Sequence, residues 1–328
     1  IRDRYNVSSN EWTWIHGTAG SSANYGSKGV TSVSNNPGVR IETSCTWVDN
    51  TGNLWMFGGL TNPSTAFNDL WKFDINLNQW SWMSGDSAAN IFGNYGSKGI
   101  ANTNNKPGAR VANASWKDEN NNLWLYGGYR YVNAYPIVTN QYFFYNDMWK
   151  YNIATNEWTW ISGDSSYNNM PNYGTQCLSG TNNNPGGRLK TQARWTDNCG
   201  NFWLFGGAVF DSSQITVEKN DLWKYSTKTN EWTWIGGDKT NFPPGNYGTM
   251  GVVNSNNSPP GRRGANAWVN SNGLWLFGGS LLNDMWHYIP ENINADFTLN
   301  TDCKEYEKQF ILTAETYCTN EVNNVAWN

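Results

Sequence analysis

Few side chains in this sequence could carry out catalysis or bind a metal ion. The 328 residues include 2 histidines and 5 cysteines, which are His16, His287, Cys45, Cys177, Cys199, Cys303 and Cys318. The cysteines lack the CxxC spacing of a structural zinc site, and an odd number does not fit a complete set of disulfides within the chain. We therefore expect no metal and no cofactor.

Three short acidic segments could suggest calcium binding. They are DNTGN at 49–53, DENNN at 118–122 and DNCGN at 197–201. A calcium loop needs alternating carboxylates, and that alternation is missing here. Asp, Asn and Gly are also the residues that tight turns between strands prefer. These segments are interpreted as turns.

One arginine and one aspartate recur at regular positions along the chain. The recurring residues are Arg40, Arg110, Arg188 and either Arg262 or Arg263, together with Asp69, Asp147, Asp221 and Asp284. A functional site is rarely repeated four times with such uniformity. We expect these residues to tie strands or neighbouring repeats together.

These residues belong to a sequence repeat that is present in four copies. Each copy has a Pro-Gly pair, a run that ends in Trp, a short turn, an LWLFGG-like string, a variable loop and an NDLWKY-like string. An EWTW-like segment follows the first three copies, and a link that carries NYG precedes each Pro-Gly. The LWLFGG-like strings lie at 54–59, 123–128, 202–207 and 274–279, and the NDLWKY-like strings at 68–73, 146–151, 220–225 and 283–288.

The repeated strings predict β-strands, because they are short, rich in aromatic residues and bounded by Gly, Asn, Asp and Pro. EWTW and LWLF alternate with a period of two, so one face of each strand is apolar. Four such strands joined by short turns form an antiparallel sheet, which cannot bury both of its faces alone. Stacking four sheets around an axis solves this problem, so the sequence predicts an all-β fold, a four-bladed β-propeller.

The chain begins with half of a repeat and leaves another repeat incomplete. SNEWTW stands at 9–14, whereas no such segment follows NDMWHY at 283–288. The first three repeats carry five tryptophans each and the fourth carries three, and Trp12 and Trp14 would complete it. We therefore expect the N-terminal strand to become the fourth strand of the last blade. This would close a propeller spanning residues 1–290 and bury both indoles.

Long and variable loops are predicted to collect on one face of the propeller, together with the NYG links, while the short turns lie on the other. Variable loops on a rigid scaffold commonly carry binding sites. The loop of the second repeat, 129–145, is rich in aromatic residues, which are enriched at interfaces. The candidate binding residues are Tyr129, Arg130, Tyr131, Tyr135, Tyr142, Phe143, Phe144 and Tyr145. The alternative is that they pack against the neighbouring link as a small core.

The pattern R…WxD…LWLFGG…NDLWKY…NEWTW resembles the kelch motif, the β-propeller repeat also found in galactose oxidase. It is most similar to the long-repeat version seen in secreted and surface proteins of bacteria. The resemblance covers residues 1–289, although each unit is longer than the usual length of about 50 residues. Copper chemistry like that of galactose oxidase needs tyrosine and histidine ligands. His16 and His287 are expected on neighbouring strands of the closing blade but out of register.

The last part of the chain, 291–328, breaks the repeat pattern. Its segments ADFTL, KQFILTAE and NNVAWN have the character of strands, and together they resemble the first half of a PKD-type, Ig-like sandwich. Half a sandwich does not fold readily alone. The hypothesis is that the chain is a piece of a longer, multi-domain extracellular protein. A disulfide between Cys303 and Cys318 in that domain is left open.

The composition argues against two classes of function. A net charge of -4 and an isoelectric point near 5.3 argue against nucleic-acid binding, and no apolar run is long enough to cross a membrane. The sequence favours a non-catalytic extracellular recognition or structural module of a large bacterial cell-surface protein, active in adhesion or in assembly of a surface appendage. Its expected partners are other surface-protein domains or subunits, or a protein or glycan of a target cell. The alternative is a secreted carbohydrate-active or oxidase-type propeller enzyme.

Overall fold

The structure, a computed structural model, describes residues 2–6, 8–42, 45–132, 141–191, 193–211, 213, 215–270 and 273–289. Strands account for all the regular secondary structure in these ranges, and no helix occurs in them. The strands are β1 (Arg2–Asn6), β2 (Glu11–His16), β3 (Thr46–Val48), β4 (Leu54–Asn62), β5 (Thr65–Asp74), β6 (Gln79–Ser84), β7 (Ala114–Lys117), β8 (Leu123–Tyr126), β9 (Tyr129–Val132), β10 (Gln141–Phe144), β11 (Met148–Asn152), β12 (Glu157–Ser162), β13 (Arg188–Leu189), β14 (Arg194–Thr196), β15 (Phe202–Phe210), β16 (Thr216–Ser226), β17 (Glu231–Gly236), β18 (Asn266–Asn270), β19 (Gly273–Gly279) and β20 (Leu282–Tyr288).

Each of the first two repeats forms a four-stranded antiparallel sheet, and the third forms a five-stranded one. The orders are β3-β4-β5-β6 in the first repeat and β12-β11-β8-β7 in the second. In the third, β14, β15, β16 and β17 follow one another, and β13 pairs with the far end of β15. The fourth repeat contributes β18, β19 and β20. The prediction of an all-β chain with four propeller-type blades is confirmed.

Two compact units divide the chain. The first holds Ile1–Phe143 and Asp147–Ser165, and the second holds Phe144–Asn146 and Ser166–Asn328. The short piece 144–146 belongs to the second unit because Asn168 binds its backbone: the Asn168 N–H donates to the Phe144 carbonyl at 2.7 Å. Each unit therefore contains two repeats and a core of its own.

The core of each unit lies between the sheets of its two repeats. In the first unit, Trp47, Phe57 and Leu70 of one sheet share a cluster with side chains of the next sheet, such as Leu125 and Trp149. A cluster of the same kind occurs in the second unit, where Trp195 and Leu222 meet Leu276 and Trp286. The alternation of apolar residues along each strand thus buries one face of a sheet against its neighbour.

The first-strand tryptophans also make a polar contact with the following sheet. The indole N–H of Trp47 donates to the carbonyl of Trp116 at 2.7 Å. The same bond joins Trp195 to the carbonyl of Trp268 at 2.8 Å. A buried indole needs such an acceptor, so this contact fixes the position of one sheet relative to the next within a unit.

In the first three repeats the NYG link packs along the fourth strand of its own repeat. In the first repeat the carboxamide of Asn35 donates to Val30 O at 2.8 Å and to Trp80 O at 3.0 Å. Asn105 and Asn183 make the equivalent pair of bonds in the next two repeats. The fourth strand is therefore held on one edge by the third strand and on the other edge by the link.

Links and 2–3 loops lie together, as the sequence predicted, and the 1–2 turns lie elsewhere. The side chain of Asn90, in the second link, accepts from the Ala66 N–H at 3.0 Å, and its amide donates to Ser64 O at 2.8 Å. The 1–2 turns of the first unit contact each other: the backbone N–H of Asn50 donates to Oδ1 of Asn121 at 3.0 Å. The predicted division into two faces is thus confirmed within the first unit.

The predicted closure by the N-terminal strand is wrong for this structure. Strand β2 pairs with β1 in a separate two-stranded sheet, and within the described residues the sheet of the fourth repeat ends at β20. Trp12 and Trp14 are 68% and 67% exposed instead of buried. For the same reason, the expected placement of His16 on a strand next to that of His287 is wrong.

The register of β1 explains this outcome. Its Tyr5 lies opposite Trp12 and its Asn6 opposite Glu11. This is the register in which Tyr151 lies opposite Trp158 between the third and fourth strands of the second repeat. Residues 2–16 thus form the second hairpin of a repeat. Pairing with an adjacent segment costs less loop entropy than pairing with a strand more than 250 residues away.

Several predictions concern residues outside the described ranges. These are the PKD-type segment at 291–328, the pair Cys303 and Cys318, and the loop residue Tyr135. They stay predictions. The other three cysteines are present as thiols, and Cys45 is buried.

Candidate recognition site

The predicted binding loop of the second repeat forms a hairpin of its own. Strands β9 and β10 pair as a two-stranded sheet that is separate from the four-stranded sheet of the repeat. Side chains alternate between the two faces of a strand, so the aromatic residues of this loop are divided into two groups. One group points into the protein and the other outward.

The inner face of the hairpin is anchored by Arg130, which is only 2% exposed. Its guanidinium lies 4.0 Å from the ring centre of Phe92 and 4.7 Å from that of Phe143. Its Nη1 donates to the carbonyl of Asn90 at 2.6 Å. A buried cation stacked between two rings is a favourable arrangement, and it attaches the hairpin to the second link.

The outer face presents three tyrosines. The ring of Tyr142 lies 4.8 Å from that of Tyr131 and 6.3 Å from that of Tyr129, with interplanar angles of 41° and 34°. Tyr142 is 42% exposed, and Tyr129 and Tyr131 are partly buried. The hydroxyl of Tyr129 lies 3.4 Å from Oε2 of Glu42. The result, which we call the tyrosine face (Tyr129, Tyr131 and Tyr142), combines aromatic surface with hydroxyls and a carboxylate.

The remaining predicted site residues have structural contacts. Phe144 is fully buried, and its ring packs edge-on against Phe210 at 5.1 Å. Tyr145 is 3% exposed, and its carbonyl accepts from the Arg188 N–H at 3.1 Å. The structure therefore brings Tyr129, Tyr131 and Tyr142 together at the surface, and it places Arg130, Phe143, Phe144 and Tyr145 in the interior.

A second constellation recurs in every repeat around one aspartate. Asp221 accepts from both Nη groups of Arg188, from the hydroxyl of Tyr173 at 2.9 Å and from the indole of Trp223 at 2.9 Å. The clusters of the other repeats consist of Arg40, Asp69, Tyr25 and Trp71; Arg110, Asp147, Tyr95 and Trp149; and Arg262, Asp284, Tyr247 and Trp286. The predicted role in tying strands together is confirmed, and Arg262 is the arginine of the fourth repeat.

The electrostatics of these clusters follow from burial. Burial and the charge of the neighbouring aspartate raise the pKa of Tyr25 and of Tyr173 well above the ordinary range. In the fourth repeat burial acts to raise the pKa of Asp284, but hydrogen bonds from Arg262, Trp286 and Tyr247 outweigh it and lower the pKa to about 2. Tyr25 and Tyr173 therefore stay neutral donors, and Asp284 stays a charged acceptor at neutral pH.

The tyrosine of this cluster was not predicted from the sequence to lie beside the aspartate. Its signal was present, because NYG recurs once per repeat at a constant distance before Pro-Gly. The tyrosine lies in the link, far from the aspartate along the chain: Tyr95 and Asp147 are 52 residues apart. Only the packing of the link against its own sheet brings the two residues together.

The acidic turns have the role that turn chemistry predicted. Oδ2 of Asp49 accepts from the indole of Trp55 at 2.8 Å, and Oδ1 accepts from the N–H groups of Thr51 and Asn53 at 2.9 Å. Burial acts to raise the pKa of Asp49, but these hydrogen bonds outweigh it, so the pKa is lowered. The carboxylates of Asp118 and Asp197 hold Trp124 and Trp203 in the same way. Among the described residues no cluster of three or more His, Cys, Asp or Glu side chains could hold a metal.

The fold and these sites define an all-β protein built of propeller-type blades. No protein-family model and no curated protein matches the sequence. Among solved structures, a similar chain is one described as "Structure of YjhT", with 15% identity and a TM-score of 0.44. The match covers 78% of this chain and 63% of that one, which is less than two thirds of its length. In the part of the chain that the structure describes, no helix is long and apolar enough to cross a membrane.

Proposed function

We propose that this chain is a kelch-type propeller module of a large bacterial cell-surface protein, and that it acts in recognition, during adhesion or assembly of a surface appendage. The observation that carries the proposal is the tyrosine face, which projects from a hairpin whose opposite side is anchored. Four copies of the kelch-like pattern, each with its buried Arg-Asp pair, support the kelch assignment. The PKD-like pattern of 291–328 supports an extracellular, multi-domain setting.

The geometry of the tyrosine face favours binding. Aromatic rings cover apolar surface at a low cost in side-chain entropy, and their hydroxyls give direction to the contact. Arg130 reduces that cost further, because its contacts with Phe92 and Phe143 hold the hairpin before a partner arrives. Sugar rings and the aliphatic side chains of a protein both fit such a surface, and Glu42 adds a hydrogen-bond acceptor beside it.

The use of the charged residues favours recognition over catalysis. The arginines and aspartates that recur in the repeats are engaged with each other, and with tyrosine and tryptophan donors, in the interior of the sheets. A general acid or base needs to reach a substrate, and residues that hold strands together do not have that access. The loop tyrosines, by contrast, are at the surface.

The test is binding of the labelled full chain to a glycan array and to intact bacterial cells. Replacing Tyr131 and Tyr142 by Ala together is expected to weaken binding at least about tenfold, because an interface aromatic commonly contributes 1–2 kcal/mol or more. Tyr167→Ala is the matched control, since Tyr167 is also 42% exposed but lies outside the hairpin. Equal binding by the wild type and the double variant would contradict the role of the tyrosine face, and no binding by the wild type would contradict recognition itself.

A further inference from the structure

The three complete repeats show how a fourth strand is held. The tyrosine of the link packs edge-on against the second tryptophan of that strand. The pairs are Tyr25 with Trp82 at 5.0 Å, Tyr95 with Trp160 at 5.0 Å, and Tyr173 with Trp234 at 5.3 Å, with interplanar angles of 75°, 79° and 74°. One geometry thus serves all three Trp-x-Trp strands.

Two further contacts accompany this packing in the first repeat. Lys28 lies with its Nζ 4.6 Å from the ring centre of Trp82, and the next residue, Gly29, donates its N–H to the Trp82 carbonyl at 2.8 Å. Beyond the strand, the side chain of Asn68 accepts from the N–H of Asp86 at 3.0 Å. Asp86 stands four residues after the second tryptophan, within the sequence WSWMSGD.

Each of the other complete repeats shows part of this set of contacts, and Gln176 stands at the position of Lys28 in the third. Lys98 lies 4.4 Å from the ring centre of Trp160, and the Asn220 side chain accepts from the Asp238 N–H at 2.8 Å. The strand that fills each complete repeat, with the residues after it, reads Trp-x-Trp-x-x-Gly-Asp.

The fourth repeat has the holding residues but no such strand within the described residues. Tyr247 packs against Trp286 at 5.1 Å and donates to Asp284 at 2.8 Å, as its equivalents do. Met250 occupies the position of Lys28, and Asn283 occupies the position of Asn68. We call Tyr247, Met250, Asn283 and the outer edge of β20 the acceptor surface.

The acceptor surface is exposed where its equivalents are covered. Met250 is 98% exposed and Tyr247 is 49% exposed, whereas Tyr25, Tyr95 and Tyr173 are partly buried. Asn283 is also exposed, although Asn68 is completely buried and Asn220 is 4% exposed. In the other repeats the fourth strand and the residues after it contact these positions, as the bonds of Asn68 and Asn220 to Asp86 and Asp238 show.

Strand β2 and the residues after it match this pattern as far as Gly17, with Thr18 in place of the Asp, and the pairing edge of β2 is in use. In every complete repeat the fourth strand pairs with the third, and β2 makes that pairing with β1 in the same register. We therefore infer that the acceptor surface binds an extended Trp-x-Trp-x-x-Gly-Asp segment of a partner protein, which adds to β20 as a fourth strand. Such β-augmentation obtains affinity from main-chain hydrogen bonds and specificity from alternate side chains.

The test uses a fluorescein-labelled peptide with the sequence of residues 229–238, TNEWTWIGGD, and the full chain. Fluorescence anisotropy is expected to show saturable binding. A peptide in which both tryptophans are replaced by alanine is expected to bind at least tenfold more weakly. Tyr247→Ala and Asn283→Ala in the chain are each expected to weaken binding at least fivefold, while circular dichroism shows an unchanged fold. Tyr167→Ala is the control and is expected to have no effect.

Three results would overturn the inference. The first is no saturable binding of the peptide. The second is equal binding of the alanine peptide, or an equal effect of Tyr167→Ala. The third is peptide binding that appears only after Trp12 and Trp14 are replaced by Ala, because β2 of the same chain or of a second copy would then be the occupant. Sedimentation of the wild type and of that double variant distinguishes these two sources.

Discussion

At the scale of single residues, the aspartate of each repeat organises the groups around it. Asp147 accepts from Arg110, from the hydroxyl of Tyr95 at 2.6 Å and from the indole of Trp149 at 2.8 Å, and its side chain and that of Arg110 are fully buried. Burying an ion pair costs solvation free energy, and the cost is offset only when the remaining lone pairs also find donors. The tyrosine and the indole supply those donors.

Arg110→Met is expected to lower the free energy of unfolding by about 3–5 kcal/mol, because it leaves the buried carboxylate of Asp147 without its counter-ion. Arg263→Met is the control. Arg263 is 43% exposed and lies 3.3 Å from Glu218, so its loss is expected to change stability by about 0.5 kcal/mol or less. Urea unfolding of both variants measures the difference, and similar losses would contradict the structural role of the buried pair.

The pKa of Asp284 predicts a specific pH dependence. Its pKa is about 2 in the folded chain against 3.8 ordinarily, so its contribution to stability is complete above about pH 4 and is lost as the pH falls toward 2. The stability difference between the wild type and Asp284→Asn is therefore expected to be large at pH 6 and to shrink at pH 2.5. A difference that is the same at both pH values would show that the carboxylate is not held in this way.

At this scale the sequence predicts the role of residues that recur once in every repeat. The fourfold Arg and Asp pointed to a structural role, since uniform repetition is unusual for a functional site. The sequence does not distinguish Arg262 from Arg263, because the two adjacent residues have the same side chain. Only the direction of that side chain in the fold separates them. The loop aromatics were likewise chosen as a group, and strand pairing then placed Tyr142 outside and Phe143 inside.

At the scale of elements, the Gly-Gly pair that interrupts the second strand is set by close backbone approach. Gly58 has a φ of 64°, and the register of β4 and β5 shifts between Phe57 and Gly59. A Cβ at position 58 would lie 2.6 Å from the carbonyl oxygen of Arg110 and 2.8 Å from that of Phe67. The bulge therefore lets the backbone of the following repeat come close to the strand.

Gly58→Ala is expected to lower the free energy of unfolding more than Gly29→Ala does. Gly29 has a similar φ of 74°, but a Cβ there would meet no heavy atom within 4 Å. Gly29→Ala therefore measures only the strain of the left-handed backbone, about 1–2 kcal/mol. The contact with Arg110 and Phe67 is expected to add at least about 2 kcal/mol at position 58. Thermal unfolding of the two variants measures the difference, and equal losses would exclude a steric cause.

The elements inside the repeats were predictable because their signals recur. The short turn segments predict a turn in several copies of the repeat. The LWLFGG and EWTW strings likewise predict a strand in several copies. Strand β1 was missed because RDRYN lacks the Asn-Asp-Leu-Trp start of the other third strands. Its likeness to them is confined to the Tyr-Asn end, which is too short to recognise without the pairing of Tyr5 with Trp12.

At the scale of the whole molecule, the first-strand tryptophans of different blades differ in their burial. Trp47 and Trp195 are 6% and 3% exposed, because the next sheet of the same unit packs over them. Their equivalent in the fourth repeat, Trp268, is 52% exposed. The burial of Trp47 and Trp195 thus depends on the sheet that packs on them within their own unit, as nearest-neighbour models of repeat proteins describe.

Two tryptophans at equivalent positions test whether β2 is buried as a fourth strand. Trp158→Ala removes an indole that is 1% exposed, and it is expected to lower the free energy of unfolding by about 3–5 kcal/mol. Trp12→Ala, at the same position of the first hairpin, is expected to lower it by about 1 kcal/mol or less, because Trp12 is 68% exposed. Urea unfolding of both variants is the measurement. Equal losses would restore the closure by β2 that the sequence predicted.

The attachment of each link to its own fourth strand has a mechanical consequence. In the first repeat the N–H groups of Gly29 and Ser32 and the carboxamide of Asn35 donate to the carbonyls of Trp82 and Trp80 at 2.8, 3.4 and 3.0 Å. The link runs antiparallel to the fourth strand, with Gly29 opposite Trp82 and Ser32 opposite Trp80. A force that pulls on the N-terminal side of the link and on the C-terminal side of that strand therefore opens these bonds one after another, as in a zipper. A complete blade yields to such a force by stepwise release of its link.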